Sequence, residues 1–164
     1  MVVFASTTSK TLAPALRLGL TVAPAHLVEA LTDYHDAVAA QPPVLDQVAL
    51  ARFIEEGSLD RHLRKTRRLY RAKHDLLVDL LDRRVPQVTV RGVAGGLQLL
   101  AVLPDGTDDL GLLRAVRREG LAVHPLSRHC TAHSAAPPAL LLGFALPTEA
   151  TLRAAVRVLA RTLA

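Results

Sequence analysis

The sequence predicts two structurally different parts in one chain, an α/β segment followed by an α+β unit. Two observations carry this prediction. Up to about residue 85, stretches with helical hydrophobic periodicity follow two short apolar strands. After Pro86 the elements are short strands and two helices, with glycines and prolines between them. We therefore expect one domain over residues 1–85 and a second over residues 86–164.

The first part begins with two short strands separated by a polar turn. Residues 2–5 are apolar and β-favouring, and residues 18–22 form a similar run that Pro24 ends. Pro14 prevents a continuous helix between them, because proline has no amide hydrogen and clashes with the preceding turn. Two isolated strands do not form a stable sheet by themselves. We therefore expect both to pair with strands outside this chain.

Three helices are expected next. Their predicted ranges are residues 26–38, 44–56 and 58–84. A turn at residues 41–43 separates the first two helices, and Gly57 is suited to a left-handed cap at the end of the second. Ser58 is expected as the N-cap of the third helix, which has leucines at spacings of three and four and so has one apolar face.

The second part contains shorter elements. Strands are predicted at residues 88–90, 97–103, 121–124 and 140–145; a helix is predicted at residues 108–119, and a last helix follows Thr148. Gly95-Gly96 separates the first two strands, and Gly120 ends the first of these helices. Thr148 is expected as the N-cap of the last helix. One face of that helix is apolar and consists of Leu152, Val156, Leu159 and Leu163.

The net charge of +5 comes from one segment. Seven Lys or Arg and no acidic residue occur between Arg61 and His74, whereas the rest of the chain has 13 basic and 15 acidic residues. Such a segment could contact phosphates. Because it lies in an amphipathic helix with only Tyr70 for base stacking, we interpret it as a solvated helix face, with nucleic-acid contact as the alternative.

No segment predicts a membrane span, a leader or a metal site. The long charge-free run at residues 130–148 is interrupted by prolines, and the first ten residues lack the pattern of a signal peptide. A single cysteine, Cys130, fits a reducing compartment, so a cytoplasmic protein is expected. His124, His129, Cys130 and His133 are spaced more like a surface loop than like tetrahedral ligands, and no metal is expected.

Lys10 is the first candidate for chemistry. The chain has 17 arginines and three lysines, yet position 10 is lysine in an apolar and hydroxyl-rich setting. Lysine can lose its proton and form a Schiff base with an aldehyde, whereas arginine stays charged. Thr7, Ser9 and Arg17 could donate hydrogen bonds to a phosphate. From the residues alone, a reactive lysine and an ordinary surface lysine are equally good interpretations.

Two other lysine motifs do not fit. A P-loop has glycines before its Lys-Ser/Thr pair, and none precedes Lys10. A hydrolase of the Ser-x-x-Lys type would have serine at position 7, where this chain has threonine.

The segment at residues 6–19, Ser-Thr-Thr-Ser-Lys-Thr-Leu-Ala-Pro-Ala-Leu-Arg-Leu-Gly, resembles the lysine segment of MocR-type regulators. These are GntR-family proteins in which a winged helix-turn-helix is joined to a fold-type I aminotransferase-like domain. The similarity extends over residues 2–163. Shorter similar stretches are residues 43–47, 61–65, 68–70, 95–97, 124–127 and 142–144.

The resemblance implies a cofactor, pyridoxal 5'-phosphate (PLP). It implies that Lys10 forms the internal aldimine and that Thr7, Ser9 and Arg17 bind the cofactor phosphate. Residues 1–85 would be the end of the PLP-binding large domain, and residues 86–164 the small C-terminal domain. It also implies an amino-acid-like effector or substrate and a homodimer of the full-length protein.

In that family a DNA-binding module and the first part of the aminotransferase domain precede this lysine. We therefore expect a C-terminal fragment that is inactive alone, with DNA bound only through the missing module. The usual carboxylate-binding arginine has no counterpart in residues 140–144, and Arg128 is a weak substitute. Gln98 and Leu20-Thr21 stand where relatives commonly have histidine and an aromatic residue.

Three functions are compatible with these observations. The first is the effector-sensing domain of a regulator, and the second is a transaminase acting through Lys10. The third is a non-catalytic helical piece whose basic helix meets an acidic partner. The lysine segment and the absent carboxylate-binding arginine favour the first.

Overall fold

A computed structural model describes residues 2–38, 43–92, 96–131 and 136–163 of the chain. The chain divides into two compact units, Met1–Lys65 and Thr66–Ala164. The division falls inside the third helix, which contributes residues to both units. The domain boundary expected at residue 85 concerns the domains of the family fold, and it stays a prediction.

The first unit contains a two-stranded hairpin. β1 (Phe4–Thr7) and β2 (Gly19–Val22) are antiparallel, with Phe4 opposite Val22 and Thr7 opposite Gly19. A single 3-10 turn, Pro14–Leu16, lies between them. The two strands are therefore not isolated, because residues 8–18 reverse the chain and place them side by side. Pairing with strands outside this chain stays a prediction. All eight strand residues are nevertheless exposed.

The helices of the first unit match their predicted ranges to within one residue. They are α1 (Ala25–Val38), α2 (Val44–Glu55) and α3 (Ser58–Arg84), the last of which continues into the second unit. Gly57 has a φ of 67°, and its carbonyl accepts the amide of Arg61 at 3.2 Å. Gly57 is therefore the N-cap of α3 and Ser58 its first residue, which corrects the predicted cap. Gln41 and Pro42 of the predicted turn lie outside the described residues.

The second unit consists of a four-stranded antiparallel sheet and two further helices. The sheet has the order β3-β4-β6-β5 and is antiparallel at each pairing. Its elements are β3 (Thr89–Arg91), β4 (Gln98–Val102), α4 (Asp109–Arg118), β5 (His124–Pro125), β6 (Ala139–Gly143) and α5 (Glu149–Leu163). Gly95, of the predicted glycine pair, lies outside the described residues.

β5 begins three residues later than the sequence predicts. The amides of Gly120 and Leu121 donate to the carbonyls of Arg117 and Val116, at 3.0 Å each. With a φ of 79° at Gly120, this is the double hydrogen bond of a Schellman cap. Leu121 is thus part of the C-terminal cap of α4, and pairing with β6 begins only at His124 and Pro125.

The hydrophobic core of the second unit lies between the sheet and the helices. Phe144, Leu81, Leu113 and Leu140 are at most 2% exposed. The predicted apolar face of α5 is confirmed, because Leu152, Val156 and Leu159 are buried and Leu163 packs against them. Asp108 and Thr148 cap α4 and α5 by accepting the amides of Gly111 at 2.8 Å and Thr151 at 3.2 Å. Within the described ranges, no helix is long and apolar enough to cross a membrane.

Candidate functional site

The four residues predicted to hold a cofactor lie on one hairpin of the first unit. Thr7 is the last residue of β1, Ser9 and Lys10 lie in the turn that follows, and Arg17 lies two residues before β2. We call residues 7–19 the lysine loop. Since one hairpin carries all four residues, their arrangement is set by local backbone geometry.

The hydroxyls of Thr7 and Ser9 are hydrogen-bonded to each other. Thr7 Oγ1 donates to Ser9 Oγ at 3.1 Å and accepts the Ser9 amide at 3.2 Å, and it also lies 3.4 Å from the Leu18 carbonyl oxygen. A hydroxyl has one hydrogen and two lone pairs. Ser9 Oγ acts as an acceptor in this pair, so its own hydrogen remains available to an incoming anion.

Thr8 is a structural residue that the sequence analysis missed. Its amide and its Oγ1 both donate to the carbonyl of Leu18, at 3.0 and 2.8 Å. Its own carbonyl accepts the amides of Thr11 and Leu12. Leu18 is 5% exposed, so Thr8 ties the turn to the buried point of the hairpin. Nothing in the run of four hydroxyl residues distinguishes the one that faces inward.

Arg17 and Gly19 determine how the chain returns to β2. Arg17 has φ 49° and ψ 23°, the left-handed conformation that non-glycine residues rarely adopt, and its amide donates to the Pro14 carbonyl. Such strained residues concentrate at ligand sites. A Cβ on Gly19 would lie 2.9 Å from the carbonyl oxygen of Ser6. Glycine therefore allows β1 and β2 to approach each other beside the loop.

Lys10 and Arg17 both have exposed side chains. Within the described residues, no hydrogen bond or ion pair engages the Lys10 amine or the Arg17 guanidinium. Both cationic groups are accessible to a ligand.

His62 supports the lysine loop from α3. Its Nε2 lies 2.8 Å from the carbonyl oxygen of Thr11, the residue after Lys10. The contact joins residues 51 positions apart in the sequence, and both belong to the first unit. No local sequence pattern points to this role of His62, because a contact over such a separation leaves none.

The donors of the lysine loop fit a phosphate and an aldehyde. Two hydroxyls and a guanidinium are typical phosphate donors, and arginine can bind two phosphate oxygens at once. Lys10 supplies the amine that condenses with an aldehyde. The fit rests on this donor chemistry and on the common position of the four residues in one hairpin.

The other sequence candidates are separate from the loop. Arg128 lies in the exposed 3-10 turn Leu126–His129, and Gln98 is the exposed first residue of β4. The rings of His124 and His129 are 6.2 Å apart in an edge-to-face arrangement. His133 lies outside the described residues, and the described part of the chain has no group of three His, Cys, Asp or Glu side chains that could hold a metal.

Comparisons with known proteins define the class to which this fold and site belong. The family model for aminotransferase class I and II matches residues 2–159. The chain therefore belongs to the aminotransferase class I and II family. The predicted fold class, the C-terminal part of an aminotransferase fold, is confirmed.

Individual relatives include both a regulator and enzymes. The chain is 34% identical to the probable rhizopine catabolism regulatory protein MocR of Rhizobium meliloti, over 96% of this chain and 32% of that protein. It is 28% identical to aromatic-amino-acid aminotransferase 1 of Thermococcus litoralis, over 99% of this chain and 39% of that protein.

Among solved structures, LysN of Thermus thermophilus aligns with a TM-score of 0.86 and 28% identity. The alignment covers 98% of this chain and 41% of LysN, an alpha-aminoadipate aminotransferase complexed with N-(5'-phosphopyridoxyl)-L-leucine. The resemblance to MocR-type regulators drawn from residues 6–19 is thus confirmed. The chain spans between a third and two fifths of the length of these relatives.

Proposed function

We propose that this chain is the PLP-binding portion of the effector domain of a MocR-type transcriptional regulator. The observation that carries the proposal is the lysine loop, which presents an amine, two hydroxyls and a guanidinium on one hairpin. The similarity to the MocR protein over almost the whole chain supports it. The phosphopyridoxyl ligand of LysN supports the choice of cofactor.

In this proposal Lys10 would hold PLP, because its amine can condense with the cofactor aldehyde with loss of water. The hydroxyls of Thr7 and Ser9 and the guanidinium of Arg17 bind its phosphate, with the Ser9 hydrogen free to donate. When bound, PLP acts as an electron sink for chemistry at an amine-bearing carbon. Thr8 and His62 position the loop, because they hold it to Leu18 and to α3.

The regulator function assigns partners to the whole protein. PLP and an amino-acid-like effector would together bias the position of a helix-turn-helix module, and that module would bind DNA. The protein acts as a cytoplasmic homodimer. Residues 1–85 form the end of the large PLP-binding domain, and residues 86–164 form the small domain.

A class I/II aminotransferase that transfers amino groups through Lys10 is the second candidate. The similarity to aromatic-amino-acid aminotransferase 1 favours it. The absence of an arginine in residues 140–144, where β6 lies, argues against it, because a forked guanidinium is the usual clamp for a substrate carboxylate.

Covalent labelling tests the role of Lys10. The chain is incubated with PLP and reduced with borohydride, and its peptides are analysed by mass spectrometry. We expect the phosphopyridoxyl group on Lys10 and its loss in Lys10→Ala. Lys65→Ala is the matched control, since Lys65 is also an exposed lysine of the first unit. Equal labelling of Lys10 and Lys65 would refute a specific site at Lys10.

A turnover assay can establish the second candidate function if the chain is active. The regulator assignment predicts that the chain loaded with PLP, and not reduced, transfers no amino group between an amino acid and a keto acid at a measurable rate. Steady turnover that Lys10→Ala abolishes would favour the aminotransferase and contradict the regulator assignment.

A further inference from the structure

One side of α3 carries a dense group of cations that the proposed function does not use. We call it the α3 basic face; its members are Arg61, Arg64, Lys65, Arg67, Arg68 and Arg71. All six are exposed. At 3.6 residues per turn they lie within roughly 160° of the helix circumference, opposite the side that carries Tyr70 and Leu77. The face is therefore wide, continuous and uniformly positive.

Asp60 and Asp75 lie on the same side of the helix, just before and just after this face, but neither is paired with one of its cations among the described residues. Within them, no carboxylate lies within the 4.0 Å of a salt bridge from any of the six cations. Other arginines of the same chain do have such partners, as in the pairs Arg83–Asp79, Arg114–Asp108 and Arg161–Glu119. Among the described atoms, Arg61 alone of the six has a side-chain hydrogen bond, to Ser58 Oγ and the Glu56 carbonyl.

The arrangement does not serve the stability of the helix. Like charges at spacings of three and four repel each other, and Arg64, Arg67, Arg68 and Arg71 have such spacings. The face also begins at Arg61, in the first turn of the helix, where the helix dipole disfavours cations. An anionic partner would remove both costs, and this is why the face is better explained as a binding surface than as a solvated surface.

The shape and composition of the face fit the backbone of duplex nucleic acid. Five of the six residues are arginine, which binds phosphate oxygens in pairs. From Arg61 to Arg71 the helix rises about 15 Å, the span of about four phosphates along one DNA strand. Tyr70 is half-buried on the other side, so no aromatic side chain of this described helix is available for stacking against single-stranded bases.

We propose that the α3 basic face binds the phosphate backbone of duplex DNA without reading its sequence. The choice of DNA over an acidic protein rests on the proposed function, because a regulator works at DNA. The surface does not depend on the cofactor. It would hold DNA against the effector domain in addition to the contacts of a helix-turn-helix module.

The test is fluorescence anisotropy of the whole chain with a labelled DNA duplex of random sequence, over a range of salt concentrations. Four phosphate contacts predict that the association constant falls roughly 100-fold between 50 and 200 mM salt. In the variant R64Q/R67Q/R68Q/R71Q we expect binding at low salt to weaken at least tenfold and the salt dependence to become nearly flat. The lysine variant R64K/R67K/R68K/R71K should keep the salt dependence, because it keeps the charge.

A second variant distinguishes an effect of the α3 basic face on DNA binding from an effect of the net charge of the chain. R117Q/R118Q/R153Q/R157Q removes the same four charges from exposed positions of α4 and α5. It should bind DNA within about twofold of the parent in this assay. Equal weakening in both variants would refute the proposal, and so would a parent chain that binds no duplex at low salt. Tighter binding to polyglutamate than to DNA would assign the face to an acidic protein instead.

The outcome is independent of PLP binding. Lys10→Ala should leave DNA affinity unchanged, and R64Q/R67Q/R68Q/R71Q should leave borohydride labelling of Lys10 unchanged. Circular dichroism of each variant confirms that a loss of binding is not a loss of folding. Failure of the DNA assay with labelling intact would remove this inference and leave the cofactor assignment standing.

Discussion

The two units of this chain differ most in what they bury. In the second unit, side chains from the sheet and helices form one continuous core. In the first unit, Leu18 is the one buried hydrophobic residue among those described. Apolar side chains such as Phe4 and Val22 are more than half exposed there. The lysine loop therefore lies in the unit with little core of its own, where local hydrogen bonds maintain its shape.

The lysine loop therefore has a defined backbone conformation although little hydrophobic core lies beneath it. Thr8, Arg17 and Gly19 determine the path of the loop through backbone geometry. Exposed apolar side chains as numerous as those of the first unit are usually covered by further contacts in a working protein. The three experiments below test the contrast between the units, beginning with the largest expected effect.

The largest difference is expected between alanine substitutions of one phenylalanine in each unit, measured as the loss in free energy of unfolding. Phe144 is 1% exposed, and Phe144→Ala should lower the free energy of unfolding by about 3–5 kcal/mol, because it leaves a cavity in the core. Phe4 is 57% exposed, and Phe4→Ala should change it by less than about 0.5 kcal/mol. Urea denaturation followed by circular dichroism measures both. Comparable losses would show that Phe4 is covered in solution and would remove the contrast.

Two glycine substitutions test the close approach of β1 and β2. Gly19→Ala places a Cβ 2.9 Å from the Ser6 carbonyl, so we expect about 1–3 kcal/mol of local strain and about tenfold weaker PLP labelling of Lys10. Gly143→Ala is the control, because its Cβ meets no described atom within 4 Å. Undiminished labelling of Gly19→Ala would mean that the hairpin does not position the site.

The smallest expected effects come from removing one threonine hydroxyl in each unit. Thr148→Ala removes the cap of α5 and should lower the free energy of unfolding by about 1 kcal/mol. Thr8→Val removes a bond of similar strength, but in the unit that has little core. We expect Thr8→Val to leave the global transition unchanged and to speed amide exchange in residues 8–18 about fivefold. A global loss of about 1 kcal/mol in Thr8→Val would show that the two units unfold together.

Most helices were predictable because each is encoded by its own residues. Periodic leucines and the flanking Gly57 and Pro86 defined α3 to the residue. Predicted boundaries were wrong where a residue at the end of one element belongs structurally to its neighbour. Leu121, predicted to begin β5, instead forms a hydrogen bond that ends α4. Gly57 displaced Ser58 as the cap of α3 for the same reason, because the tight connection from α2 left Ser58 inside the helix.

The reactive groups of the candidate site could be predicted from the sequence, but the residues that hold the lysine loop in place could not. Residue types alone suggested an amine and phosphate donors at Lys10, Thr7, Ser9 and Arg17, and these assignments stay predictions. Thr8 could not be told from its neighbouring hydroxyls, and its role became clear only from its bonds to the Leu18 carbonyl. The pairing of β1 with β2 was missed, since the sequence analysis did not anticipate how far residues 8–18 reverse the chain.

By itself the sequence determined the periodic elements and the kinds of group available for chemistry, because periodicity, capping and side-chain type are properties of short segments. Tertiary structure alone decided that His62 supports the lysine loop, that the six cations of α3 form no salt bridge with a described carboxylate, and that one unit has a core while the other has little. Those properties depend on contacts between residues far apart in the chain, and such contacts form only when the chain has folded.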